Sequence, residues 1–129
     1  MLSADAINTI KQFGAGEKEI AAIYVFGSAA TGKARGKSDV DIAVMTASGI
    51  PGAKRMEMEN TLSNRLKKDV DLVIFDRVSP LFQHQILKYG RLVYEADPKE
   101  RVRQEVFARS AYLDTTFLYR KLKRNETHG

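Results

Sequence analysis

The chain has no cysteine and no tryptophan, and only two histidines and three prolines in 129 residues. Without cysteine there is no disulfide framework, no thiolate nucleophile and no cysteine-ligated zinc. His84 and His128 are too few for a histidine-rich metal site, and His128 sits in a polar tail. Any bound metal must therefore be held by oxygen, which favours magnesium, manganese or calcium. No apolar run approaches the roughly 18 residues that a membrane helix needs. The opening stretch MLSADAINTIKQFG has acid and polar residues where a secretory signal carries a basic start and an apolar block. The expectation is a soluble, cytoplasmic protein. Its length fits one domain with one core. Twenty-one basic against sixteen acidic residues leave a net charge of +5. That excess suits an anionic substrate or an acidic partner, and equally an ordinary surface.

What the chain does have is a regular alternation of element signals. Ser3 reads as an N-cap, Ile7 and Ile10 recur at helical spacing, and Gly14 and Gly16 close a helix over residues 3–14. IAAIYVF (Ile20 to Phe26) is a continuous apolar run of strand length, closed by Gly27. Residues 28–37 are small, polar and basic, and read as a loop or one helical turn. Val40 to Met45 is a second buried strand. Met56, Leu62 and Leu66 among charges mark an amphipathic helix over residues 53–67. Val70 to Phe75 is a third strand. Ser79-Pro80 starts a helix that Gly90 ends. RLVYE (Arg91 to Glu95) is a short fourth strand. Pro98 opens a long terminal helix with Val102, Val106, Leu113, Phe117 and Leu122 on one stripe, read as core with a partner interface as the alternative. The order α-β-β-α-β-α-β-α predicts an α/β (α+β) domain, one sheet covered by helices.

The stretch that carries chemistry is YVFGSAATGKARGKSDVDIAVM, Tyr24 to Met45. Strand alternation places Asp39 and Asp41 on one face, one pleat apart, where the strand begins. Two carboxylates this close repel and need a compensating cation. Asp71 holds a similar place on the third strand, so pairing of the two strands would bring it near the others. Three carboxylates without histidine or thiolate form a hard-oxygen site suited to one or two Mg²⁺ ions. An Asp-x-Asp by itself is weak evidence, because strand-end aspartates are often turn residues; Asp69 and Asp76 read that way.

Gly27-Ser28 taken alone reads as a plain strand-to-helix turn, but together with the acids it strengthens the assignment. Glycine lets the backbone approach a ligand. Backbone N–H groups at a helix start bind phosphate, and a serine hydroxyl adds a donor. A strand, a Gly-Ser, ten intervening residues, an Asp-x-Asp and a later strand aspartate form a combined pattern.

That pattern resembles the polymerase-β-like nucleotidyltransferase superfamily, and more narrowly the minimal MntA-type adenylyltransferase antitoxins of HEPN/MNT toxin–antitoxin pairs. SPLFQHQILKYGRLVYEADP and ARSAYLDTTFLYRKL are similar to the same group, so the likeness spans nearly the whole chain. The resemblance implies a short mixed sheet with helices mainly on one side, in a single domain with a core at about 18–96 and a C-terminal helix at about 97–124. It implies ATP as substrate with two Mg²⁺ ions, Mn²⁺ being an alternative. Gly27 and Ser28 would hold the β- and γ-phosphates. Asp39, Asp41 and Asp71 would be the catalytic metal ligands, and Asp71 would help to deprotonate the attacking hydroxyl. The implied partner is a HEPN-domain toxin whose tyrosine accepts AMP. Many minimal members have arginine three residues after the motif serine, and this chain has Thr31 there. Lys33 and Arg35 would supply the positive charge instead, with a solvated basic loop as an equal account of them.

Two other functions fit less of the pattern. One is a non-catalytic antitoxin that masks its toxin by contact. The other is a transferase for RNA or a small molecule, which lacks a domain to present the acceptor. His84 reads as a packing or surface residue. Arg120, Lys121, Lys123 and Arg124 read as a helix end whose cations complement the dipole, so nucleic acid is not expected as a direct ligand.

Overall fold

The computed structural model describes residues 2–27 and 40–128, with side chains to residue 124. Ser28, Lys33, Arg35 and Asp39 therefore lie outside the described residues. Helix α1 spans Ala4–Ala15, and the Ser3 hydroxyl caps it by accepting the Ala6 N–H at 3.1 Å. Strands β1 (Ile20–Phe26) and β2 (Val40–Thr46) follow, then α2 (Gly52–Leu66), β3 (Val70–Ile74) and a short 3₁₀ turn at Phe75–Arg77. Helix α3 (Pro80–Tyr89) starts on the Ser79 cap, which accepts the Phe82 N–H at 3.2 Å. Strand β4 (Arg91–Glu95) leads into α4 (Pro98–His128), whose first turn is capped by the Asp97 carboxylate.

The sheet has four strands in the order β3-β2-β1-β4. The pairs β1–β2 and β1–β4 are antiparallel, and β2–β3 is parallel with α2 as its crossover. Central strands covered on both faces read as unbroken apolar runs, which is why IAAIYVF shows no alternation. The two faces have different owners. Ile23, Val25, Ile42, Val44, Leu72 and Ile74 join Ile10 and Phe13 of α1 and Met58 and Leu62 of α2. The alternate positions Tyr24, Ala43 and Met45 pack with Phe75, Ile86 of α3 and Ala108 of α4. Helices thus cover both faces, which corrects the expectation that they lie mainly on one side. Continuous burial along β1 and β2 demands this, since an apolar second face left open would face water.

A second correction concerns α4. Val102, Val106, Leu113, Phe117 and Leu122 are 47–67% exposed, so the apolar stripe is not core. Apart from Ala108, the buried side of the helix is polar. Gln104 is 4% exposed and donates to the Thr46 carbonyl at 2.9 Å and to the Glu100 carboxylate at 3.0 Å. Arg101 bridges Glu95 of β4 and Glu105 one turn on. The Tyr24 hydroxyl is buried beneath this clasp without a well-formed hydrogen bond. Burial first, and then the Glu105 charge, push its pKa up to about 12.

Edge strand β3 is closed by side chains of α2. Glu59 accepts the Leu72 N–H at 2.9 Å, Arg55 donates to the Leu72 carbonyl at 2.9 Å, and the Ser63 hydroxyl accepts the Val70 N–H at 3.1 Å. These bonds occupy groups that an unprotected edge would offer to another chain.

Candidate functional site

One end of the sheet collects the chemistry: β1 finishes there, while β2 and β3 begin. The registers pair Asp41 with Phe26 on one side and with Asp71 on the other. Parallel partners point to the same face, so Asp41 and Asp71 stand side by side across a strand spacing of about 4.8 Å. Asp41 is half-buried and Asp71 is exposed. Of the three predicted carboxylates, the described residues bring these two together; Asp39 lies outside them.

Gly27 fits against Asp41 for two reasons. Its φ is +73°, in the left-handed region that side chains rarely adopt. A Cβ built on it would lie 2.2 Å from Asp41 Oδ2 and 3.1 Å from Asp41 Cγ. The backbone of Gly27 therefore touches the Asp41 carboxylate, and no other residue leaves that space free. The Gly-Ser signal thus marks a close backbone approach at the acidic end of the sheet. Its serine, together with Lys33 and Arg35, lies outside the described residues.

Two cavities are lined by residues that neighbour Asp41. On the Asp71 side one of about 280 Å³ is lined by Asp71, Val73, Val78, Arg55 and Arg77, among others. Both arginines are tethered: Arg55 to Glu59 and the Leu72 carbonyl, Arg77 to the Ile50 carbonyl. Sequence reading did not single them out, because nothing in their spacing tells an arginine beside the acids from a solvated one. On the Gly27 side a cavity of about 330 Å³ is lined by Phe26, Gly27, Gln85 and Tyr89. His84 lies on another side of α3, stacked on the Tyr112 ring at 3.8 Å and 4°, in a packing role.

An acidic pair with only oxygen donors fits a hard divalent cation, and fits neither zinc nor copper in their usual sites. A divalent cation between two adjacent carboxylates would also offset their repulsion. Among the described residues no helix is long and apolar enough to cross a membrane.

The fold is shared with solved structures. A chain of a crystal structure of a toxin–antitoxin with AMP-PNP superposes with a TM-score of 0.77 at 24% identity, over 99% of this chain and 100% of that one. A chain from the complex of a tri-AMPylated Shewanella oneidensis HEPN toxin with MNT antitoxin gives 0.74 at 23% identity, over 96% and 97%. At such identities the likeness establishes the fold. In sequence, the protein adenylyltransferase MntA of Shewanella oneidensis is 35% identical over 72 residues, which is 56% of this chain and 52% of that protein. The match thus spans about half the length of the curated relative. Residues 8–99, from the middle of α1 to the start of α4, match the family described as Polymerase beta, Nucleotidyltransferase, and the chain belongs to that family.

Proposed function

We propose that this chain transfers AMP from ATP to a hydroxyl, that of a tyrosine on a HEPN-domain toxin, and so acts as an antitoxin. The observation that carries the reading is the Asp41–Asp71 pair with the Gly27 backbone pressed against Asp41. A glycine approach for phosphate and side-by-side acids for a divalent cation are what nucleotidyl transfer requires. The adenylyltransferase and toxin–antitoxin relatives support the choice of donor and acceptor. Residues 1–129 are taken as one catalytic unit, working in the cytoplasm where ATP and magnesium are found.

Asp39, Asp41 and Asp71 would hold Mg²⁺, one or two ions, with Mn²⁺ as a substitute. Bound there, the metal supplies charge neutralisation of the phosphates and of the developing phenolate. The protein does the positioning. The Gly27 backbone and Ser28 hold the β- and γ-phosphates, and Lys33 and Arg35 add positive charge. The acceptor oxygen enters from the open Asp71 side and attacks the α-phosphorus. An O–P bond forms, the bond to the bridging oxygen breaks, and pyrophosphate leaves. The hydroxyl proton is taken up at Asp71.

Neutralisation by contact alone is the alternative, and the exposed α4 stripe favours it, since a binding antitoxin needs an apolar face. One experiment separates the two. The protein is mixed with a HEPN-domain candidate partner, Mg²⁺ and ATP labelled on the α-phosphate. Label on a partner tyrosine, lost with Asp41→Asn, is the expected result. A tight, unlabelled complex with its ribonuclease blocked would replace the enzymatic reading with the contact reading.

A further inference from the structure

The aromatic residues of α3 are placed unlike a core. Phe82, Gln85 and Tyr89 fall at i, i+3 and i+7, hence on one helix face. Phe82 is 38% and Tyr89 50% exposed, and Gln85 is exposed as well. This face looks toward the end of β1. Phe26 meets Phe82 edge to face at 5.6 Å between centroids, and with Gly27, Gln85 and Tyr89 it lines the cavity of about 330 Å³. One water's share of liquid is roughly 30 Å³, so the cavity has room for much more than solvent filling.

The arrangement is held in place. Gly90 ends α3 directly against β1: a Cβ there would lie 2.3 Å from the Ile86 carbonyl oxygen and 3.3 Å from both Phe26 Cβ and the Val25 carbonyl oxygen. That approach anchors Tyr89, the preceding residue, next to Gly27. An aromatic wall, an amide and the proposed phosphate-binding glycine thus share one cavity beside Asp41. Lys88, whose Nζ lies 5.3 Å from the Tyr89 ring centroid, is not in the cavity lining.

We propose that this cavity seats the nucleobase of the donor nucleotide, with Tyr89 as its stacking surface and the Gln85 amide as the group that selects adenine. The inference rests on the nucleotide-transfer reading and names the residues that set its donor specificity. A carboxamide pairs its N–H with a ring nitrogen and its C=O with the exocyclic amine of adenine, whereas guanine presents a carbonyl where adenine has that amine. Stacking of the base on an aromatic ring supplies affinity independent of base identity. The neighbouring Gly27 backbone keeps the phosphates within reach of the same nucleotide.

The test is calorimetric binding with Mg²⁺ present, using α,β-methylene analogues of ATP and GTP, which cannot release pyrophosphate, and inorganic tripolyphosphate. The wild type is expected to favour the adenine analogue. Tyr89→Ala should weaken that analogue by roughly five- to a hundredfold and leave tripolyphosphate unchanged, while Tyr89→Phe keeps nearly full affinity. Gln85→Ala should bring the adenine and guanine analogues to equal affinity. Unchanged nucleotide affinity in Tyr89→Ala overturns the inference, as does equal weakening of nucleotide and tripolyphosphate. Intact nucleotide binding with a raised KM for the protein acceptor also overturns it and assigns the cavity to the acceptor. A wild type that binds neither nucleotides nor tripolyphosphate defeats the transfer reading itself. Exposure of Gln85 and Tyr89 makes misfolding of these variants a minor effect, checked by circular dichroism.

Discussion

Asp41 and Gly27 occupy one another's space: the carboxylate oxygen of the first fills the position where a side chain on the second would begin, 2.2 Å from an ideal Cβ. This contact joins the end of β1 to the start of β2 at the acidic edge of the sheet. It makes Gly27 necessary for two independent reasons, conformation and volume.

Gly27→Ala should therefore lose nucleotide transfer almost entirely. The φ of +73° costs an alanine roughly 1–2 kcal/mol, and the clash adds displacement of Asp41. A fall in thermal midpoint together with a fall in transfer rate of at least a hundredfold is expected. Wild-type turnover in a well-folded Gly27→Ala variant would remove Gly27 from the site.

The Asp41–Asp71 pair gives a prediction with opposite signs. Side-by-side carboxylates repel one another, and a divalent cation held between them relieves that repulsion. Asp71→Asn should leave stability in EDTA unchanged or slightly raised, while abolishing AMP transfer. The wild type should gain stability on adding Mg²⁺, about 1.4 kcal/mol at ten times the dissociation constant, and the variant should gain much less. Melting curves in EDTA and in Mg²⁺ read both effects. Equal Mg²⁺ stabilisation of the two proteins would rule Asp71 out as a ligand.

Most of the element order was legible because its punctuation is local. Ser3, Ser79-Pro80 and Gly90 act within a turn of where they stand, and the apolar runs of β1 to β3 are long enough to be seen. The pairing that brings Asp71 to Asp41 was legible as a condition, and the parallel register meets it. The inward face of α4 was not. Its buried residues, Gln104, Glu105 and Ala108, are polar or small, and what they meet, the Thr46 carbonyl and Tyr24, is distant in sequence. Apolar periodicity registers only hydrophobic burial, so it selected the wrong side. The Gly27-side cavity was illegible for a similar reason: it exists only where α3 returns to β1.

That reversal on α4 can be measured. Val106→Glu and Phe117→Glu replace exposed residues and should shift stability by no more than about 0.5 kcal/mol. Ala108→Glu, at a position 2% exposed, should destabilise severely by burying an unpaired charge. Urea midpoints of the three variants decide the matter. Strong destabilisation by Val106→Glu or Phe117→Glu would return the stripe to the core.

Closure of the β3 edge predicts an aggregation phenotype. Glu59→Ala removes the acceptor of the Leu72 N–H and the partner of Arg55 at 3.1 Å. An unsatisfied group of this kind costs about 1–3 kcal/mol, and the freed edge becomes a pairing template. The variant should melt lower and scatter light on prolonged warming below its midpoint. Glu59→Gln, which keeps an acceptor oxygen, should recover most of the loss. Equal behaviour of the two variants would mean that charge, and not the hydrogen bond, protects the edge.

Tyr24 predicts how the fold fails in alkali. Its hydroxyl has an ordinary pKa near 10, raised in the folded chain to about 12 by burial and by Glu105. The folded state then holds a proton that the unfolded chain has given up, so stability must fall as pH rises between these values. The contribution is complete below about pH 10 and lost by about pH 12, an effect of roughly 3 kcal/mol for a two-unit shift. Tyr24→Phe removes the ionisation while keeping the ring packed on Phe75, 6.4 Å away between centroids. Its stability curve should match the wild type at neutral pH and lie above it from pH 10 upward. Parallel curves across that range would mean that Tyr24 ionises as readily in the folded chain as in the unfolded one, and that another group governs alkaline unfolding.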